Sequence, residues 1–167
     1  MFLLPYRRFS IETDLPPSDV LTSIQAATEP ERWAGSFWTQ RRQLRFSGRV
    51  TGNSFDLTRS IDYRNSFCPH IQGSVEPTPG GARLVGTMKL HDVVAFFMLA
   101  FLAITGSIAV AVIPPGLAAG GLDSDSLIPL VMFGAGIVMT VGAFAFEAPK
   151  SLEALASLVR ASRADMR

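Results

Sequence analysis

Positive charge is missing from a long stretch of this chain, and cysteine and histidine are scarce throughout it. Of the 15 Lys and Arg residues, eleven precede His91 and four follow Glu147, so the segment between these two residues has no basic side chain. The single Cys68 excludes a disulfide within the chain. With only two histidines, His70 and His91, the sequence lacks the four Cys or His ligands of a structural zinc site, and we predict neither a metal nor another cofactor.

Two apolar runs, residues 93–113 and 127–146, contain no charged residue. At about 1.5 Å per helical residue, each run reaches the roughly 30 Å of a bilayer core, which predicts a transmembrane hairpin. The pair Pro114-Pro115 is predicted to end its first helix. Because intramembrane charges usually mark ion or proton pathways, we do not expect this chain to form a channel or transporter by itself.

The charges around the hairpin predict its orientation. The connection, residues 114–126, contains Asp123 and Asp125 and no basic residue. Basic residues flank the other ends of the two runs: Lys89, Lys150, Arg160, Arg163 and Arg167. Since Lys and Arg near the ends of spans remain on the cytoplasmic side, we expect the connection to be translocated and both termini to be cytoplasmic, with the bacterial inner membrane as the location.

Small residues recur within both runs. They are Ala103, Ser107 and Ala111 in the first run, and Gly134 and Gly142 in the second. Such spacing lets helix backbones approach closely in lipid, so these five are predicted span-packing positions. They either close the hairpin on itself or form a face that docks another membrane protein or a second copy of this chain.

Residues 1–92 are predicted to form an α+β domain. From residue 43 to residue 90 the apolar and polar residues alternate through two hairpins, which gives four antiparallel strands, and residues 6–13 are a candidate fifth. A helix that begins at Ser18 as its N-cap has one apolar face to cover the sheet. The fold class is therefore an antiparallel sheet of four to five strands with covering helices, followed by the hairpin.

Residues 147–167 are predicted to form an amphipathic cytoplasmic helix after Pro149. Its apolar stripe consists of Leu152, Leu155, Ala156, Leu158 and Val159. The stripe can lie in the membrane interface or pack on the sheet. The short link after the second run favours packing on the sheet, which makes the hairpin an excursion between the last strand and the closing helix of one domain.

The segments FSGRV (46–50), FDL (55–57) and YRNSFCPHIQG (63–73) resemble an uncharacterised group of small bacterial membrane proteins with a β-rich domain before a two-span hairpin. This resemblance implies the same architecture and no assigned activity. The order of strand, helix, sheet and helix is also loosely similar to START-like helix-grip domains. That similarity implies a cavity for an apolar ligand between the sheet and its helix.

The polar segment that follows the second predicted strand is the main candidate for binding. Arg64, Asn65, Ser66 and His70 lie within it, and Arg64 could pair with a lipid phosphate or an acidic partner. The alternative is a tight corner, in which Asn65 and Ser66 bond to the nearby backbone.

Other residue patterns point away from catalysis and nucleic acid. The chain has no Gly-rich phosphate loop followed by Lys and no nucleophile-elbow serine. His91 and Asp92 are adjacent and cannot face each other on a helix, so Asp92 is interpreted as an N-cap. A basic strip of arginines at positions 41, 42, 45 and 49 is expected to meet anionic head groups or an acidic partner, since the net charge is only +1.

Together these patterns predict a non-enzymatic accessory or scaffold subunit of a membrane assembly. Its expected partners are membrane lipids and either a membrane protein or a second copy of the chain, but no nucleic acid. The alternative is a membrane-anchored module that binds a lipid or another apolar molecule, which an open apolar cavity between the sheet and the first helix would favour.

Overall fold

The computed structural model describes residues 5–30, 44–61 and 65–165, and every structural statement refers to these. It confirms the predicted α+β class. The elements in chain order are β1 (Tyr6–Thr13), α1 (Pro17–Ala26), β2 (Thr28–Pro30), β3 (Phe46–Thr51), β4 (Ser54–Arg59), β5 (His70–Thr78), β6 (Gly81–Lys89), α2 (Asp92–Ala118) and α3 (Ser124–Asp165).

The six strands form one mixed sheet in the order β1-β6-β5-β4-β3-β2. All neighbouring strands are antiparallel except β2 and β3, which are parallel. Both predicted hairpins and the candidate strand at residues 6–13 are present. Sequence analysis missed β2, because three residues are too few to show the alternation of a strand.

Two glycines in the middle of the sheet make room for aromatic rings. Gly73 of β5 and Gly86 of β6 are paired in register. A Cβ atom at Gly73 would lie 2.7 Å from Cζ of Phe55, and one at Gly86 would lie 2.8 Å from Cζ of Phe9. The two rings therefore lie directly on the backbone of the central strands and fill space that a side chain would otherwise occupy.

The apolar face of the sheet is covered by α1 and by the C-terminal part of α3. Val20 and Ile24 of α1 and Leu155 and Val159 of α3 belong to one buried cluster with the sheet residues. The C-terminal part of α3 thus packs on the sheet. Along the chain, α2 and the N-terminal part of α3 come between the last strand and this covering segment, which share one core. The N-cap of α1 is Pro16, which makes no side-chain cap bond, so the prediction of Ser18 as the cap is wrong.

The two long helices extend further than predicted. α2 continues through Pro114-Pro115 to Ala118 and does not end at the prolines. Each proline removes one helical hydrogen bond but holds φ near its helical value, which permits one further turn. Just before α3, Asp123 accepts hydrogen bonds from the hydroxyl and the backbone N–H of Ser126, and these lower the pKa of its carboxyl group.

Helix α3 runs for 42 residues without interruption. At about 1.5 Å per residue it is roughly 63 Å long, about twice the thickness of a bilayer core. Residues 147–165 are therefore not a separate helix but the continuation of the second apolar run.

The contact between the phenylalanine rings and the central glycines can be tested by substitution. Gly86→Ala should lower the free energy of unfolding by about 1–3 kcal/mol, because the new Cβ would lie 2.4 Å from the carbonyl oxygen of Gln72 and would displace the ring of Phe9. The matched control is Gly80→Ala, where a Cβ meets nothing within 4 Å. Denaturant unfolding of the full chain in detergent measures both, and equal midpoints would contradict the prediction.

Candidate functional site

The polar segment predicted to bind forms a turn before β5. The side-chain oxygen of Asn65 accepts a hydrogen bond from the N–H of Phe67 at 3.0 Å, and its carbonyl accepts one from the N–H of Cys68 at 3.2 Å. Ser66 is exposed. Arg64 lies outside the described residues. Turn formation thus accounts for Asn65, while binding roles for Arg64 and Ser66 stay predictions.

His70, the fourth predicted binding residue, belongs to a polar cluster that sequence analysis did not find. Its Nδ1 lies 3.0 Å from a carboxylate oxygen of Asp56, and the other oxygen of Asp56 accepts a hydrogen bond from Gln72 at 2.9 Å. The ring of His70 also packs edge to face against His91, with 5.2 Å between the ring centroids. Asp56 and Gln72 are register partners in β4 and β5, and this register is not visible in the sequence pattern.

A carboxylate that orients a histidine is also found in catalytic triads, where the histidine activates a nucleophilic side chain within hydrogen-bond reach. The nearby thiol of Cys68 is buried and donates to the carbonyl of Arg59 at 3.7 Å, which directs it away from that role. Among the residues that the structure describes, no group of three or more His, Cys, Asp or Glu side chains could hold a metal ion. The arrangement positions the ring of His70 between β4 and the start of α2.

The beginning of α2 is held by two side-chain contacts. Nδ1 of His91 accepts a hydrogen bond from the N–H of Val93 at 3.3 Å, so His91 is the N-cap. The prediction of Asp92 as the cap is wrong, because Asp92 is already helical and pairs with Lys89 at 2.9 Å. These contacts fix the helix within three residues of the end of β6.

A buried ion pair joins α3 to the sheet. Glu147 is the first charged residue after the second apolar run, and only 2% of its side chain is exposed. It pairs with Arg59, the last residue of β4, whose side chain is 19% exposed. Nζ of Lys150 lies 3.8 Å from the second carboxylate oxygen of Glu147. Removing a carboxylate from water costs several kcal/mol unless it is paired, so the geometry of Arg59 and Glu147 constrains where α3 meets the sheet.

Helices α2 and α3 are long and apolar enough to cross a membrane, and only 17% of the residues in each apolar window are buried. A core helix of a globular protein would be mostly buried. The exposed apolar side chains extend along both helices: Val93, Phe96, Phe97, Leu99, Val110, Val131, Val138 and Phe146 are examples. Such a surface is typical of helices that contact lipid or another apolar partner.

The predicted span-packing residues lie mostly outside the contact between the two helices. Ala103, Ser107, Ala111 and Gly142 are exposed and Gly134 is half-buried. A Cβ atom at either of these two glycines would meet nothing within 4 Å. The structure therefore does not bring these residues together to close the hairpin, and docking of another span on them stays a prediction.

Other small residues form the contact between the helices. Gly106 lies under the ring of Phe133, with 3.1 Å from a built Cβ to the nearest ring atom, and Gly136 lies under Phe101 at 2.8 Å. Buried Thr105 and Thr140 donate their hydroxyl groups to carbonyls of their own helices, so neither hydroxyl needs a partner on the other helix. At Gly106 and Gly136 the absence of a side chain lets a phenylalanine ring of the other helix lie against the backbone.

The interior between the sheet and its covering helices is closed. Side chains from α1, the sheet and α3 have no accessible surface: Val20, Ile24, Phe46, Leu57, Ile71, Leu84, Met88 and Leu155. A cavity that holds a lipid chain would leave accessible surface on the side chains that line it. The START-like resemblance implies a ligand enclosed between the sheet and its helix. The packing at these positions argues against such a ligand.

A cleft of about 710 Å³ lies at the other end of the sheet, between β1, β6 and the end of α3. Its charged lining residues are Glu12, Asp14, Arg83 and Arg160. Arg83 pairs with Glu12 at 2.7 Å. Because acidic and basic groups balance here, the cleft offers no field of one sign to attract an ionic ligand.

No family model matches this chain, and neither curated proteins nor solved structures yielded a match.

The ion pair between Arg59 and Glu147 can be measured with a double-mutant cycle. Arg59→Leu or Glu147→Leu alone should cost about 3–5 kcal/mol of unfolding free energy, because each removes the main partner of a largely buried charge. The double variant should recover most of this loss.

The exposed pair of Arg83 and Glu12 is the matched control. Leucine substitutions there should cost less than about 1 kcal/mol, since solvent screens both charges. Denaturant unfolding in detergent gives all the values. If Glu147→Leu costs no more than Glu12→Leu, the buried pair does not hold α3 on the sheet.

Proposed function

We propose that this chain is an integral membrane protein, located in the bacterial inner membrane, that acts as a non-enzymatic accessory or scaffold subunit of a membrane assembly. One observation carries the proposal. Helix α3 passes without a break from an exposed apolar segment into the core of the β-domain. The domain therefore has a fixed orientation relative to the helices that carry it.

Rigid coupling is what a scaffold requires. No flexible linker separates α3 from the sheet, since Phe144 and Ala148 are already part of the domain core. At the same end of the sheet, α2 begins three residues after β6. A partner held by the helices would therefore meet the β-domain at a defined distance and angle.

The outward face of α2 suits a partner helix. Ala103, Ser107 and Ala111 are exposed along it, and the hydroxyl of Ser107 donates to the carbonyl of Ala103 at 2.7 Å. This internal bond satisfies the hydroxyl, so the face offers small side chains to a neighbouring helix without an unsatisfied polar group. Close approach of backbones on such faces drives association in lipid.

Co-purification tests this function. The tagged full chain, solubilised gently from its native membrane, should carry a stoichiometric membrane protein that mass spectrometry identifies. Ala103→Leu with Ser107→Leu should abolish that association, because larger side chains prevent close approach. The control is Ile104→Val with Ile108→Val, which alters exposed positions on the same helix without blocking this face. A chain that purifies alone with a defined lipid or pigment would support the alternative binding function instead.

The proposed orientation is tested by cysteine labelling in a Cys68→Ala background. Ser124→Cys at the start of α3 should react with a membrane-impermeant maleimide in intact cells, because the connection is proposed to be translocated. Arg160→Cys should react only after the membrane is permeabilised. The opposite pattern would place both termini outside the cytoplasm.

A further inference from the structure

Accessible charges of the described β-domain are divided between the two ends of the sheet. The end next to α2 and α3 carries Arg7, Arg8, Lys89 and Lys150. The opposite end carries Glu12, Asp14 and Glu76 together with Arg83 and Arg160, so its charges nearly balance. Accessible positive charge is therefore concentrated at the end of the sheet next to the long helices.

The exposed apolar surface of α2 and α3 begins close to the sheet. Val93, in the first turn of α2, is 68% exposed, and Phe146 of α3 is 64% exposed. These two side chains are the apolar residues nearest to the sheet on their helices that are exposed to this degree. Hydrocarbon that covers the helices must therefore reach the first turn of α2.

The basic residues of β1 and β6 lie close to this level. Arg7 and Arg8 pair with Met88 and Thr87, next to Lys89 at the end of β6. At about 3.3 Å per residue, both arginines are within about 7 Å of Lys89 along the strand. A lipid head-group layer is roughly 5–8 Å thick, and charges act over about 8–10 Å at physiological salt, so these side chains reach it.

Lys150 provides the corresponding group at α3. Its Nζ lies 3.4 Å from the centroid of the Phe146 ring, and it also approaches Glu147 at 3.8 Å. Its side chain remains 42% exposed. An aromatic ring at the edge of the apolar surface with a cation above it is typical of a side-chain anchor in the membrane interface.

We propose that the membrane-facing end of the sheet, formed by Arg7, Arg8, Lys89 and Lys150, binds the head groups of anionic phospholipids. This inference rests on the proposed insertion of α2 and α3 into a membrane. Arginine forms paired hydrogen bonds to phosphate oxygens, and lysine attracts phosphate as a point charge.

The experiment measures lipid selection by the full chain. Purified protein in detergent is mixed with equal amounts of phosphatidylglycerol and phosphatidylcholine, and native mass spectrometry counts the bound lipids. The wild type should retain phosphatidylglycerol preferentially, and high salt should reduce this preference. The variant R7Q/R8Q/K89Q/K150Q should lose at least about tenfold in selectivity, since each basic residue near an anionic surface contributes about a factor of five.

The matched comparison is R7Q/R8Q against R83Q/R160Q, each of which removes two positive charges. R7Q/R8Q should lose at least about fivefold in selectivity, whereas R83Q/R160Q, at the opposite end of the sheet, should keep its selectivity within about a factor of two. Equal loss in both variants would show that only net charge matters and would overturn the inference. A wild type without preference for phosphatidylglycerol would overturn it as well, whether or not the variants fold. Retention of an acidic protein in place of lipid would do the same.

Alkaline extraction of native membranes separates this inference from the proposed function. Release of the wild type by carbonate would contradict membrane insertion itself. A wild type that resists extraction but shows no lipid preference would leave the scaffold function standing and reject only the lipid site.

Discussion

A carboxylate as deeply buried as that of Glu147 must be compensated, and here Arg59 compensates it. Arg59 stands at the end of β4, and Glu147 stands where α3 leaves the apolar segment. Their pairing fixes both the rotation of α3 about its axis and its height relative to the sheet. The covering of the sheet, the start of the apolar surface and the position of Lys150 all follow from this placement.

Because the C-terminal part of α3 packs on the sheet, the helical hairpin is an insertion within a single folding unit. The sheet cannot complete its core until the chain has passed through α2 and back, because Leu155 and Val159 come from the far end of α3. Assembly of the β-domain and of the two long helices is therefore coupled. A molecule built in this way transmits the orientation of its helices to its domain, which is the physical basis of the proposed scaffold role.

The junction between domain and helices concentrates the polar chemistry of the molecule. His70, His91 and Asp56 brace the start of α2, while the pairs of Lys89 with Asp92 and of Arg59 with Glu147 hold the two helices. Among the described residues, the interior between the sheet and its covering helices consists mainly of closely packed apolar side chains. Function at the membrane surface fits this distribution better than enclosure of a ligand in the core.

The sequence by itself determined the element types, since alternation of period two and uncharged runs of about 20 residues are local patterns. It indicated five of the six strands and the packing of the tail on the sheet. It missed β2, which is too short to show a pattern, and the continuity of α3 through Pro149. Only tertiary structure decided the partners of Glu147 and Asp56 and the contacts of Gly106 and Gly136, because these depend on register and helix rotation between distant segments. The hydrophobic pattern of a sequence predicts which residues are buried, but it does not predict which residues they contact.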